Sequence, residues 1–356
     1  MHNSDRNHRL LYERRDLPIF QNRMYSTVEE ALASPRGDVR LVEDQRTGLI
    51  FNESFNSELM IYDTAYQNEQ AVSLVFQQHL EQVAAIIIET MGTRNLIEVG
   101  CGKGFFLELL ADRGVEITGF DPAYEGTNKL IRQEYFQAGT GLHSDGLILR
   151  HVLEHIPDPF SFLSQLRDAN GGNGYIYIEV PCFDWICEHR AWFDVFYEHV
   201  NYFRLRDFHS MFANVASSGR IFGGQYLYVV ADLASLRQPT IDQSNRANMP
   251  ADFTDGLNRV WKHGSSASAV WGGASKGVIF SLLAQREGKL IDAVIDINPA
   301  KQGRFLPLTG LQVQSPEKAL KELPTGSAIY VMNRNYIEEI KSMSNAAFDY
   351  VEVDYG

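Results

Sequence analysis

The segment Asn95-Leu96-Ile97-Glu98-Val99-Gly100-Cys101-Gly102-Lys103-Gly104 limits the fold of this chain more than any other. Its apolar first half favours a short strand. Glycines at alternate positions favour a tight turn whose backbone lies open to close approach, because no Cβ blocks it. Phe105 to Arg113, rich in Phe and Leu, predicts a helix, and Val115 to Phe120 predicts a second strand that ends on Asp121-Pro122. Strand, glycine turn, helix, strand and acid in that order make a right-handed βαβ unit of a parallel sheet.

The alternation extends in both directions. Ala71 to Glu89 repeats apolar residues at three and four positions and reads as an amphipathic helix. Gly146 to Leu149 and Tyr175 to Val180 are strands on either side of a helix at Pro159 to Asn170, and Gly219 to Ala231 folds back on Gly223-Gly224 as a hairpin. A polar linker runs from about Asp232 to Pro250. Beyond it, the strand Ala269-Val270-Trp271 meets a second glycine turn, Gly272 to Gly277, and a helix at Val278 to Gln285; further strands fall at Ile291 to Ile295 and Ser327 to Met332. The expectation is an α/β chain in three parts. A turn-rich cap with no clear helical period covers 1–70, a Rossmann-like sheet covers 71–235, and a second Rossmann-like lobe covers 236–356.

Composition narrows the partners. A net charge of -13 without any Lys/Arg block argues against nucleic acid, whose phosphates call for a basic surface. No apolar run approaches the roughly 20 residues that span a bilayer, and the polar start lacks the apolar core of a signal peptide. A cytoplasmic enzyme for a small molecule is expected. Cys101, Cys182 and Cys187 have neither the spacing nor the companions of a zinc site, so no metal is expected.

The first turn, G-x-G-x-G behind Glu98, is tighter than the spacing that seats a pyrophosphate on a helix N-terminus. It favours S-adenosylmethionine over a nicotinamide dinucleotide. In that reading Gly100, Gly102 and Gly104 cradle the donor and Glu98 accepts from its amino group. Asp121, with Pro122 beside it, takes both ribose hydroxyls. A parallel sheet closed by a hairpin is likewise the usual ending of a class I methyltransferase domain. His151 follows the fourth strand, at the sheet edge where open sheets place ligands, and packs against the cofactor. His151 and His155 with Glu154 between them suggest a metal pair, but no third ligand stands at a suitable spacing.

Trp192 to Phe203 interleaves aromatic rings with Glu198 and His199. A histidine, with an ordinary pKa near 6.5, suits a general base, and a neighbouring carboxylate can orient it. On spacing alone, a structural histidine among core aromatics fits equally well. Tyr197-Glu198-His199-Val200-Asn201-Tyr202-Phe203, Glu179-Val180-Pro181, His151-Val152-Leu153-Glu154-His155-Ile156, the second glycine turn and Asp296-Ile297-Asn298-Pro299-Ala300-Lys301-Gln302-Gly303 together resemble the C-methyltransferases of deoxysugar pathways. The likeness runs from about Leu17 to the end. It implies methylation of the carbon next to the ketone of a nucleotide-linked 4-keto sugar. His199 would take the α-proton, with Tyr197 and Glu198 polarising or orienting. Tyr202 would contact the acceptor, and the second lobe would hold its nucleotide part through Gly273, Lys276 and Asn298. Lys276 reads equally as a solvated lysine at a helix start.

The sequence also departs from that family. Its members usually carry an N-terminal zinc module with paired cysteines, whereas Asp44 to Leu49 stands where the second pair would be and contains none. Tyr62 to Gln70 would close over the donor, with Tyr66 and Gln67 as contacts or as a hinge. Trp271-Gly272-Gly273 replaces the more usual Tyr-Gly-Ala. Two other readings stay open: an O- or N-methyltransferase on another small metabolite, and a binding protein that keeps the fold without turnover.

Overall fold

The computed structural model describes residues 7–60 and 72–355, and its strands form three sheets. The described part of the stretch without helical period is mostly β-structure, with one short α-helix at Val28–Leu32. β1 (His8–Pro18), β2 (Arg36–Asp44) and β3 (Ile50–Asn52) make an antiparallel ladder. The register slips between Leu10 and Tyr12 and again between Arg14 and Leu17. Such slips break the two-residue alternation by which a strand is recognised, which is why the sequence pattern hides this sheet. At the β2–β3 turn, Asp44 Oδ1 accepts from the backbone N–H groups of Arg46 at 2.8 Å and Thr47 at 2.7 Å. Buried Glu43 beside it accepts from Arg9 at 2.8 Å, Arg246 at 3.2 Å and Ala247 N–H at 2.7 Å. Arg246 and Ala247 belong to the expected linker, so that segment is tied down on the cap.

The second sheet contains β4 (Leu96–Val99), β5 (Ile117–Phe120), β6 (Ile131–Arg132), β7 (Gly146–Arg150) and β8 (Tyr175–Pro181). β9 (Asn201–Tyr202) returns to the cap and pairs with β3. β10 (Val215–Ile221) and β11 (Tyr226–Asp232) form the hairpin that completes the second sheet, in the order β10-β11-β8-β7-β4-β5-β6. The five strands from β4 to β8 run parallel and the hairpin strand β11 is antiparallel to β8, the mixed seven-strand sheet of a class I methyltransferase. The helix Leu74–Met91 packs on this sheet and starts at Ser73, whose hydroxyl accepts from Phe76 N–H.

The third sheet is parallel throughout: β12 (Ser268–Trp271), β13 (Ala293–Ile295), β14 (Val313–Gln314), β15 (Ala328–Val331) and β16 (Asp349–Glu352), in the order β14-β13-β12-β15-β16. The order reverses at β12, so a crevice opens outside its carboxyl end. One buried apolar cluster joins all three sheets, including Leu41, Leu149, Phe193, Phe280 and Tyr330. Glu339 of the last lobe accepts from Ser73 Oγ at 2.7 Å, a further tie between the lobes. Among the described residues no helix is long and apolar enough to cross a membrane.

Candidate active site

The carboxyl ends of β4 and β12 open on one cavity of about 420 Å³, within the range of small-molecule and cofactor sites. The second sheet supplies Glu98, Gly100, Cys101 and Gly102 to its wall, and the third supplies Trp271, Lys276, Asp296 and Asn298. Between them stand His151, Glu154, His155 and His199.

All three glycines after β4 adopt left-handed φ, +74° at Gly100, +55° at Gly102 and +85° at Gly104. They do different work. A Cβ would stand 2.6 Å from Val152 at Gly100 and 2.4 Å from Ile131 at Gly104, but would meet nothing within 4 Å at Gly102. Gly104 opens the helix Phe105–Asp112 and lies off the cavity wall, a correction to its reading as a donor contact: its hydrogen atom makes room for Ile131. Glu98 is 3% exposed and its Oε2 has no hydrogen-bond partner. Burial pushes its carboxyl up to about 8, against the pull of the Arg150 charge. Asp121 accepts from Gly102 N–H and Ala123 N–H, each at 2.8 Å. It and Pro122, like Gly104, lie off the cavity wall; Asp121 is half-buried, and a carboxylate has about four lone-pair sites, so two remain for hydroxyl groups. An unpartnered carboxylate, an open glycine cradle and an acid behind it fit a donor with a cationic amino group and a ribose. Tyr66 and Gln67 lie outside the described residues.

A buried polar network floors the cavity. Glu179, fully buried on β8, meets His79 and His151 at 3.0 Å each, Tyr177 OH at 2.7 Å and Arg150 at 3.3 Å. Burial alone would raise its pKa, but the Arg150 charge and the histidine hydrogen bonds hold it well below the carboxylate range. Burial pulls His151 down, yet its bonds to Glu154 at 3.3 Å and Glu179 outweigh this and hold it up at about 9. His151 is therefore a cationic part of the floor. His79 gave no sign of this role in sequence, since it occupies an apolar-face position of its helix.

His199 is 8% exposed and packs 4.1 Å from the Phe196 ring and 5.1 Å from His155, centre to centre. Burial, then electrostatic repulsion from His155, His151 and Lys276, drives its pKa well below 6.5. The imidazole is neutral at pH 7 and can accept a proton. The neighbours read with it behave otherwise. Tyr197 turns away from the cavity: its hydroxyl accepts from Asn56 N–H at 2.8 Å and its ring fills the space beside Gly37. Tyr202 likewise points into the core, accepting from Phe196 N–H at 3.0 Å and donating to Phe196 C=O at 3.1 Å. Glu198 reaches the cavity wall, but its Oε1 accepts from the backbone N–H groups of Gln21 and Asn22. These three side chains shape the loop that carries His199, and the geometry gives Tyr197 and Tyr202 no contact with a molecule in the cavity.

In the last lobe Lys276 is not solvated. It pairs with Asp194 at 3.1 Å and lies 4.9 Å from the centre of the Trp185 ring. Gly273 lies off the cavity wall and donates its N–H to Asp296 at 2.8 Å, and Asn298 N–H donates to the other oxygen at 2.8 Å. Gly273 is thus a turn residue, whereas Lys276 and Asn298 line the cavity. Glu154, His155 and His199 place donor atoms within 4.8 Å of one another, a grouping that sequence spacing could not show because His199 lies far along the chain.

Comparison with known proteins agrees with this architecture. Residues 67–215 match a methyltransferase domain and residues 243–350 match a C-methyltransferase C-terminal domain. The C-methyltransferase NovU of Streptomyces niveus is 24% identical over 306 residues, 74% of this chain and 72% of that protein. The ubiquinone biosynthesis O-methyltransferase of Histophilus somni (strain 2336) is 25% identical over 28% of this chain and 48% of its own length. Among solved structures, 1,6-didemethyltoxoflavin-N1-methyltransferase of Burkholderia thailandensis, with bound S-adenosylhomocysteine, overlaps 52% of this chain and 95% of its own at 14% identity and a TM-score of 0.34.

Proposed function

Because the chain belongs to the S-adenosylmethionine-dependent C-methyltransferases, we propose that it methylates the carbon next to the ketone of a nucleotide-linked keto sugar. The observation that carries this reading is His199: a neutral, buried imidazole on the wall of a cavity shared by the β4 turn and the last lobe. The donor, when bound, supplies an electrophilic methyl group. Glu98 takes its amino group, Gly100 and Gly102 let its body approach the backbone, and Asp121 receives the ribose. His199 removes the acceptor's α-proton, whose electron pair stays on the substrate as an enolate. Lys276, Asn298 and Trp271 lie across the cavity, where the rest of the acceptor would be held. The three sheets support a division into a cap, a donor domain and an acceptor lobe, with β9 of the donor stretch added to the cap sheet.

Carbon methylation requires the α-proton to leave, whereas methylation of oxygen or nitrogen does not. A nucleotide-linked 4-keto sugar incubated with the protein and S-adenosylhomocysteine in D2O should exchange that proton faster than without protein. His199→Ala should slow this exchange by about 10²- to 10⁴-fold, the usual share of a general base, while leaving S-adenosylhomocysteine binding unchanged. Turnover without exchange would redirect the assignment to an O- or N-methyltransferase.

A further inference from the structure

The segment 153–156 is zipped to the segment carrying His199. Val200 N–H donates to Glu154 C=O at 2.8 Å, the His155 ring meets Glu198 C=O at 2.8 Å, and Asn201 Nδ2 donates to Ile156 C=O at 2.6 Å. This holds the Glu154 side chain, 1% exposed, next to His199. Two buried atoms there have no hydrogen-bond partner: Glu154 Oε2 and His199 Nδ1. A buried polar atom is costly to leave unpaired, and each of these is the kind of atom that would satisfy the other. The other Glu154 oxygen is already engaged by His151 at 3.3 Å.

We propose that Glu154 is the positioning residue for His199, accepting from Nδ1–H and so keeping Nε2 bare toward the cavity. The proposal rests on His199 being the base. A base must present an unprotonated nitrogen, and the bond made by the second nitrogen decides which one that is. When the α-proton arrives, the C–H bond breaks, an Nε2–H bond forms, the electron pair remains on the acceptor, and no proton passes to Glu154. The new imidazolium feels His155, His151 and Lys276, and the Glu154 carboxyl would offset them from beside it. Glu198, the carboxylate adjacent in sequence, is turned to the backbone of Gln21 and Asn22.

The test is ring ¹⁵N NMR of histidine-labelled protein saturated with S-adenosylhomocysteine, with His199→Asn assigning the signal. The wild type should carry its proton on Nδ1. Glu154→Gln should shift His199 to a mixed or Nε2–H tautomer and slow α-proton exchange at least tenfold, with S-adenosylhomocysteine affinity within twofold of wild type; Glu154→Asp should recover part of the exchange. A wild-type proton on Nε2 would overturn the proposal even if no variant folded, as would identical spectra for wild type and Glu154→Gln. Stoichiometric zinc or another divalent cation that Glu154→Gln loses would also overturn it, making the carboxylate a ligand instead. If His199→Asn keeps full exchange, the base reading itself falls and takes the proposal with it. If His199→Asn abolishes exchange while Glu154→Gln changes nothing, the Glu154 proposal fails alone.

Discussion

The chain builds the strand–glycine turn–helix unit twice, and the two copies differ in what they leave unpaired. Gly100 follows β4 and Gly272 follows β12, in each case the strand at which the order of its sheet reverses. In each copy an acid at the end of the next strand locks the turn: Asp121 accepts from Gly102 N–H, and Asp296 from Gly273 N–H. Two residues before the glycine, however, the first copy has Glu98 with an unpartnered buried oxygen, and the second has fully buried Val270. Asp296 is also neutralised by Lys301 at 3.3 Å. The shared backbone device thus serves one turn with charge to offer a cationic ligand and another that offers Trp271 and amide groups. On the proposed reading, the same fold element becomes a donor site or an acceptor wall according to one or two side chains.

The difference can be broken at several points. The largest effect falls on the tighter turn. A Cβ at Gly277 would stand 1.8 Å from Gly272 C=O, backbone that cannot swing aside. Gly277→Ala should cost about 3 kcal/mol or more in a denaturant melt. Glu98→Gln should weaken S-adenosylhomocysteine by about 1.5–3 kcal/mol, the range for a hydrogen bond to a charged group. Glu98 also gives the donor site a pH signature. Its folded pKa, about 8, lies above its unfolded value, so the folded protein binds the extra proton. Its contribution to stability is therefore present at low pH and declines as pH rises through the window ending near 8. Binding a cationic amino group at pH 7 should release that proton, as calorimetry in buffers of different ionisation enthalpy would reveal; Glu98→Gln should abolish the release.

The two acids sharpen the contrast further. Asp121→Ala should weaken S-adenosylhomocysteine by about 1–3 kcal/mol, whereas Asp296→Ala should leave that affinity unchanged. Equal losses from both would mean that the donor bridges the two turns. The smallest effect is expected at Gly102→Ala. In the unliganded protein nothing obstructs the added carbon, so only the left-handed φ of +55° opposes it, a cost of about 1 kcal/mol in stability.

How much of this could be read from sequence depended on distance along the chain. The β4 turn, Asp121 and the helix between them lie within one short stretch whose periodicity and glycine spacing reveal the unit directly. The cap sheet escaped because its bulges scramble the alternation. In the site, aromatic neighbours made Tyr197 and Tyr202 look like contacts, yet the chain turns at Tyr197-Glu198, and Asp194, Phe196, Glu198 and His199 reach the cavity while Tyr197 and Tyr202 do not. Whether Lys276 was solvated or part of the site stayed open because its partner Asp194 is remote in sequence. The Glu154–His155–His199 group and the Glu179 network likewise join residues from distant parts of the chain, so only the folded chain brings them together.

The most direct test of the central claim is calorimetric titration with S-adenosylhomocysteine, followed by dTDP and other nucleoside diphosphates in its presence. The account predicts that S-adenosylhomocysteine binds first and that a nucleoside diphosphate then binds to the complex, with the second event weakened by Lys276→Ala and the first unaffected. Failure to bind S-adenosylhomocysteine would contradict the donor site, and donor binding with no nucleoside diphosphate binding would contradict a nucleotide-linked acceptor.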